Sequence, residues 1–167
     1  MRNLVVIIAT SLLLGLGVSL PKARADVDIA GSVLIGSGVD TGGEPHNPYA
    51  FQIGGTVELI INGFVLGARA SRAITSGDVP RDLHLRAFGG DLGWEWELAI
   101  LHIGPRVGMG RISQIDEKFA SFYIEPGGVA EVELGIFVLG GDVRYRFVTS
   151  DMDRNGLLIY GKLGLRF

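Results

Sequence analysis

Cysteine is absent from the 167-residue chain. A disulfide framework, a thiolate metal site and a cysteine-linked lipid anchor are therefore excluded, and the lack fits an exported protein. An excess of basic charge is missing too. The formal net charge is −3, whereas a nucleic-acid binder is expected to be basic, so that class is disfavoured. Past the N-terminal stretch, no apolar run reaches the roughly 18 residues of a helical membrane span. Helical periodicity is weak. The three histidines show no metal-ligand spacing such as His-x-x-x-His. What the chain has instead is 47% hydrophobic residues, 26 glycines and a positive mean hydropathy, in a length that suits one domain.

Residues 1–25 read as a secretory signal peptide. Arg2 precedes an apolar run from Leu4 to Leu20, and Ala23-Arg24-Ala25 supplies a small-x-small site, so cleavage is expected after Ala25. Lys22 and Arg24 are uncommon so near a cleavage site. A retained anchor is the alternative, although its apolar run is slightly short for the roughly 20 residues a bilayer needs. Cleavage removes three of the 15 basic residues and no acid, which leaves the mature domain, 26–167, at a net charge of −6.

The mature chain alternates with a period of two, the mark of strands whose faces differ. Eight segments carry it: Val27–Ile35, Tyr49–Leu59, Phe64–Arg72, a fourth from Leu83, Leu98–Arg111, Phe119–Leu134, Ile136–Val148 and Leu157–Phe167. In the fourth, Leu83, Leu85 and Ala87 oppose His84, Arg86 and Phe88. Gly89-Gly90-Asp91 breaks the alternation, which predicts a bulge or bend there. In the fifth, Pro105 cannot donate a ladder bond. The connections alternate in length. Asp40–Pro48, Ile74–Asp82, Ser113–Lys118 and Thr149–Gly156 are polar loops. Asn62-Gly63, the stretch around Trp94 to Glu97, and Gly135 are short, and Asn-Gly is a strong tight-turn signal. Phe64, Trp94, Trp96, Phe137 and Phe167 fall near the short-turn ends. Tyr49, Phe119, Phe122 and Phe147 fall near the loop ends. Two such rings of aromatics match the interfacial girdles of a membrane barrel.

The last segment, LLIYGKLGLRF, is the clearest. Ile159, Gly161, Leu163, Leu165 and Phe167 share one face; Leu158, Tyr160, Lys162, Gly164 and Arg166 share the other. An apolar face opposite a cationic one suits a strand between lipid and a polar lumen. Ending on Phe167 after alternating hydrophobics resembles the C-terminal assembly signal of bacterial outer-membrane barrels. From Tyr123-Ile124-Glu125-Pro126-Gly127-Gly128 through Gly141-Asp142-Val143-Arg144-Tyr145-Arg146-Phe147 to Gly164-Leu165-Arg166-Phe167, the chain resembles the small OmpA/OmpX-like outer-membrane β-barrel proteins. That resemblance implies an eight-stranded, antiparallel, monomeric barrel in a Gram-negative outer membrane, assembled through its C-terminal strand by the barrel-assembly machinery. It implies no single activity. With no peptidoglycan-binding segment after Phe167, wall tethering is not expected.

If the polar faces turn inward, the lumen holds a network of Glu58, Arg69, Arg86, Arg106, Glu131, Asp142, Arg144 and Lys162, joined by His84, His102, Glu125, Glu133, Arg146 and Arg166. An eight-stranded interior is just wide enough for side chains to fill, and isolated buried charges are costly. A salt-bridged plug is therefore preferred to a narrow gated ion path. Catalysis is not expected. A nucleophile needs its base within reach, yet His84 is followed by Leu85-Arg86, His102 by Ile103-Gly104, and His46 has no serine nearby. Gly36-Ser37-Gly38 and Gly89-Gly90 lack the strand-to-helix context of a phosphate loop. Asp151-Met152-Asp153-Arg154-Asn155-Gly156 begins like a Ca²⁺ loop but lacks the terminal Glu and the helices. The loop acids Asp40, Glu44, Asp78, Asp82, Asp116, Glu117, Asp151 and Asp153 are expected to be solvated, with cation bridges to lipopolysaccharide as the sharper reading.

The expectation is thus an all-β protein: a signal peptide, then an eight-stranded antiparallel transmembrane up-and-down β-barrel in the outer membrane. Its role is structural or surface-interacting (envelope integrity, adhesion), its surroundings are outer-membrane lipids and lipopolysaccharide, and no cofactor is required. The alternatives are a narrow small-solute channel or hydrophobic-compound carrier, a lipid-modifying enzyme, and a secreted lipocalin-like barrel with its apolar faces inward.

Overall fold

The computed structural model describes residues 27–42, 47–73, 85–114, 120–149 and 154–167. The signal peptide, His46, His84, Phe119, the Asp151–Asp153 stretch and every loop acid named above except Asp40 lie outside the described residues. The strands are β1 (Val27–Asp40), β2 (Gln52–Ile61), β3 (Phe64–Ala73), β4 (Leu85–Trp94), β5 (Trp96–Leu98), β6 (Leu101–Gln114), β7 (Ala120–Leu134), β8 (Phe137–Val148) and β9 (Gly156–Arg166). Each pairs antiparallel with its neighbour in sequence, except that β4 and β5 both pair with β6, and β9 closes onto β1. Beyond the β9 ladder, Ile29 and Phe167 exchange two backbone bonds at 2.9 and 3.0 Å.

The nine strands make eight staves. β4 and β5 both pair with β6 in one continuous register, from Leu85↔Gln114 through Gly93↔Arg106 to Leu98↔Leu101. They part at Glu95, where Trp94 and Glu95 stand opposite Pro105 and Gly104. Pro105 has no N–H to offer. The Trp94 carbonyl accepts instead from Arg106 Nη1 at 2.8 Å, and the Glu95 N–H donates to Gly63 O at 2.7 Å.

Three tight turns lie at one end of the barrel. Asn62 and Gly63 both have positive φ, 51° and 84°, as the twist-matched hairpin turn requires. Gly135, at φ 69°, opens the turn into β8. The third departs from the sequence expectation. The chain reverses at Ala99-Ile100, not around Trp94 to Glu97, so the tryptophans sit within a stave and both face outward. The longer connections lie at the other end.

Alternation explains which face is which. β2 has ten residues; at about 3.3 Å each and a tilt of roughly 40°, that spans the apolar band of about 25 Å. Val33, Val57, Leu66, Leu139 and Leu163 point outward and are more than half exposed. Their strand neighbours point in. The apolar faces are therefore outside, which excludes the lipocalin-like alternative. Among the described residues no helix is long and apolar enough to cross a membrane.

Candidate functional site

The lumen is filled in layers. Nearest the long loops, Leu34, Ala73, Leu85, Ala87, Ile112, Val148 and Leu158 form a buried apolar cluster with Tyr49, Tyr123 and Tyr160. This corrects the expectation of a polar lumen throughout: the loop end is closed by hydrocarbon and phenol. Arg146 lies beneath it. Its guanidinium stacks on Tyr123 at 4.8 Å and Tyr49 at 5.5 Å from the ring centroids and bonds the Glu125 carboxylate. Cation–π contact and a charged hydrogen bond together offset the cost of its burial.

The middle layer spans the barrel. Arg144 forks onto Asp91, with Nη1–Oδ1 at 2.6 Å and Nη2–Oδ2 at 3.0 Å, while its Nε donates to Asp142 Oδ1 at 2.8 Å. Arg69 bonds Asp142 from the opposite wall, lies 3.5 Å from Asp91 and stacks on Tyr160 at 5.1 Å. One layer further, Lys162 Nζ donates to Glu58 at 2.7 Å and Glu131 at 2.6 Å. These charges are almost wholly shielded: Arg144 is 1% exposed, Lys162 3%. They tie β2, β3, β4, β7, β8 and β9 across the interior.

A small apolar cluster of Ala30, Ile60 and Val65 separates this network from a second one at the tight-turn end. There Glu95 accepts from Arg106 Nη2 at 2.7 Å and from Arg166 Nη2 at 2.6 Å, with His102 Nδ1 at 3.0 Å. Arg166 also reaches Asp28 at 3.1 Å, and His102 Nε2 faces Glu133 at 3.2 Å. The break in the stave at Glu95 supplies this centre. Its carboxylate turns inward just where the ladder to β6 is interrupted.

Of the residues expected in the network, Glu58, Arg69, Arg106, Glu131, Asp142, Arg144 and Lys162 face the lumen. Arg86 does not. It is exposed on the outer face, because no bulge exists at Gly89-Gly90: the register from Leu85 to Gly93 runs unbroken. The same continuity turns Asp91 inward, a central partner that the bulge reading missed. Carrying the alternation through the two glycines would have found it. Gly89 is there for room: a Cβ would collide with the Met109 carbonyl and sit 2.5 Å from the Tyr123 hydroxyl. Tyr49 is a second correction. It was expected on the outward face, in the outer girdle, but lies in the connection before β2, fully buried, its hydroxyl donating to Arg154 O at 2.5 Å. Burial, partly countered by Arg146, pushes its phenol up to about 12. The outer girdle is instead Phe51, Phe88, Phe122 and Phe147, all exposed. Among the described residues, no group of three or more His, Asp or Glu side chains is placed to hold a metal.

No protein-family model matches the chain, and no curated relative does. Solved structures do. The N-terminal β-barrel domain of Pseudomonas aeruginosa OprF superposes with a TM-score of 0.66 at 8% identity, over 86% of this chain and 100% of that one. The fold is that of a small outer-membrane β-barrel. Neisserial surface protein A matches the barrel at TM-score 0.57 and 12% identity, covering 86% of this chain and 97% of its own. Ail, the attachment invasion locus protein of Yersinia pestis, matches at 0.52 and 14%, covering 86% and 99%. At such identities what the chain shares with these barrels is the fold.

Proposed function

We propose that the protein is an integral outer-membrane barrel whose role is structural or surface-interacting, in envelope integrity or adhesion, and that its lumen is a plug. One observation carries this reading: the apolar side chains face outward while the charged ones are consumed by each other inside. A bilayer supplies the apolar surroundings such a surface needs. Arg69, Arg144, Arg146 and Lys162 are all held by carboxylates, and hydrocarbon closes the loop end above them. That filling favours a plug over the channel alternative. His102 is held between Glu95 and Glu133, a structural role that favours a non-enzymatic reading. The names of two fold neighbours, a surface protein and an attachment invasion locus protein, support a surface role for the barrel's loop end.

Residues 1–25 direct export in this reading. Phe167, 70% exposed at the end of β9, acts as the assembly signal read by the barrel-assembly machinery. Fractionation of expressing cells, with gel electrophoresis before and after boiling, tests the proposal. The expected result is a species in the outer-membrane fraction that migrates faster unboiled. A soluble species with no heat shift overturns it. Planar-bilayer recording separates plug from channel: steady unitary conductance from the wild-type barrel would favour the channel.

A further inference from the structure

Among the described strand residues, only three charged side chains stand on the outward, apolar face: Arg72, Arg86 and Arg111. All three are cations, and they sit together. Arg72 and Arg86 are direct cross-strand partners on β3 and β4, and Arg111 on β6 pairs with Phe88, two residues beyond Arg86. All lie at the long-loop end. Like charges directly opposite on a sheet repel, and among the described residues no carboxylate pairs with any of them. They border an open groove of about 800 Å³ on the outside of the barrel. Outward-facing Gly55 and Ala70, paired across β2 and β3, leave its floor low, and Phe88, 68% exposed, rises beside it.

Resting on the outer-membrane reading, we propose that this groove binds a phosphorylated glycolipid of the outer leaflet, of the lipid A class, with its phosphate held by the three arginines and an acyl chain along the small-residue floor. Charge complementarity selects the headgroup. Guanidinium forks match phosphate oxygens bidentately, and a phosphate removes the Arg72–Arg86 repulsion. Position selects a lipid over a soluble anion, since the guanidiniums emerge from the lipid-facing wall, flanked by Ile53 and Phe88.

The test uses the full mature chain in nonionic micelles and labelled bisphosphorylated lipid A, with its dephosphorylated form and inorganic phosphate as separate arms. The expected result is at least tenfold weaker binding of bisphosphorylated lipid A by R72Q/R86Q/R111Q, with the heat shift intact. Dephosphorylated lipid A should bind weakly and equally to both proteins. Should the triple variant not fold, R111Q alone is expected to weaken binding about threefold. Equal affinity of wild type and variant for bisphosphorylated lipid A overturns the proposal, as does wild-type binding of the dephosphorylated lipid as tight as that of the bisphosphorylated one. Displacement by an equal concentration of inorganic phosphate overturns it in favour of a soluble-anion site. A wild-type protein with no heat shift defeats the outer-membrane reading itself, an outcome visible before any lipid is added.

Discussion

Replacing Arg144 by leucine should unfasten the middle of the barrel. The guanidinium makes a two-pronged bond to Asp91 and a further one to Asp142, and both carboxylates are buried. Leucine leaves them with Arg69 as their shared cation. Removing one member of a buried pair strands the other's charge and costs about 3–5 kcal/mol. At a urea slope of roughly 3 kcal/mol per molar, the unfolding midpoint should fall by at least about 1 M. Trp94 and Trp96, the only tryptophans, report the transition by fluorescence in micelles. The decisive comparison is D91L/R144L. That double variant removes a matched pair and leaves Arg69 on Asp142, so most of the lost stability should return. If R144L costs under 1 kcal/mol, or the double variant is as unstable as the sum of its singles, the network does not hold the barrel as described.

Val57→Arg places a cation on an outward position 62% exposed near the middle of β2; in lipid vesicles it should cost about 2–4 kcal/mol, and a cost near zero would argue that this face does not meet lipid. Gly104→Ala should abolish the heat shift or sharply lower its midpoint, because the new Cβ meets the Trp94 carbonyl, whereas Gly31→Ala, with open space around it, should leave it unchanged. Tyr49 should ionise only near pH 12, so the difference in ultraviolet absorbance between wild type and Y49F should show its step there and not near the ordinary value of about 10. Because its folded pKa is raised, the stability Tyr49 contributes is complete below about pH 10 and is lost as pH climbs toward 12. Phe167→Ala retains the backbone exchange with Ile29, so refolding in vitro should match wild type while the outer-membrane yield in cells falls; equal yields would remove the assembly role.

The barrel was legible in the sequence because parity survives wherever a strand has one lipid face and one lumen face. Val143 against Arg144, or Leu163 against Lys162, is enough to orient a stave. Parity failed where glycine interrupted the count. Gly89-Gly90 carries no face information: Arg86 reads as inward because it is polar, and a break at the glycines leaves Asp91 without a face. The reversal at Ala99-Ile100 was hidden for a related reason. Alanine at φ 61° gives none of the signal that Asn-Gly gives, and Trp94 to Glu97 looked like a connection. Tyr49 looked like a girdle residue because an amphipathic ring suits either place. Only the closed barrel brings Arg146, from a strand nearly a hundred residues away, under its face.

The seam between β1 and β9 sets the order of events in the protein's biogenesis. Ala30 finds its partner in Arg166, so the barrel cannot shut until its final stave is at hand. Hairpins such as β2–β3 are local and quick; the closing contact spans nearly the whole domain and is slow. Throughout that delay the chain travels with lipid-seeking side chains uncovered and lumen charges unmatched. Until the seam forms, Arg69 and Asp142 stand apart on an open sheet, so the lumen network is the last part of the structure to be completed.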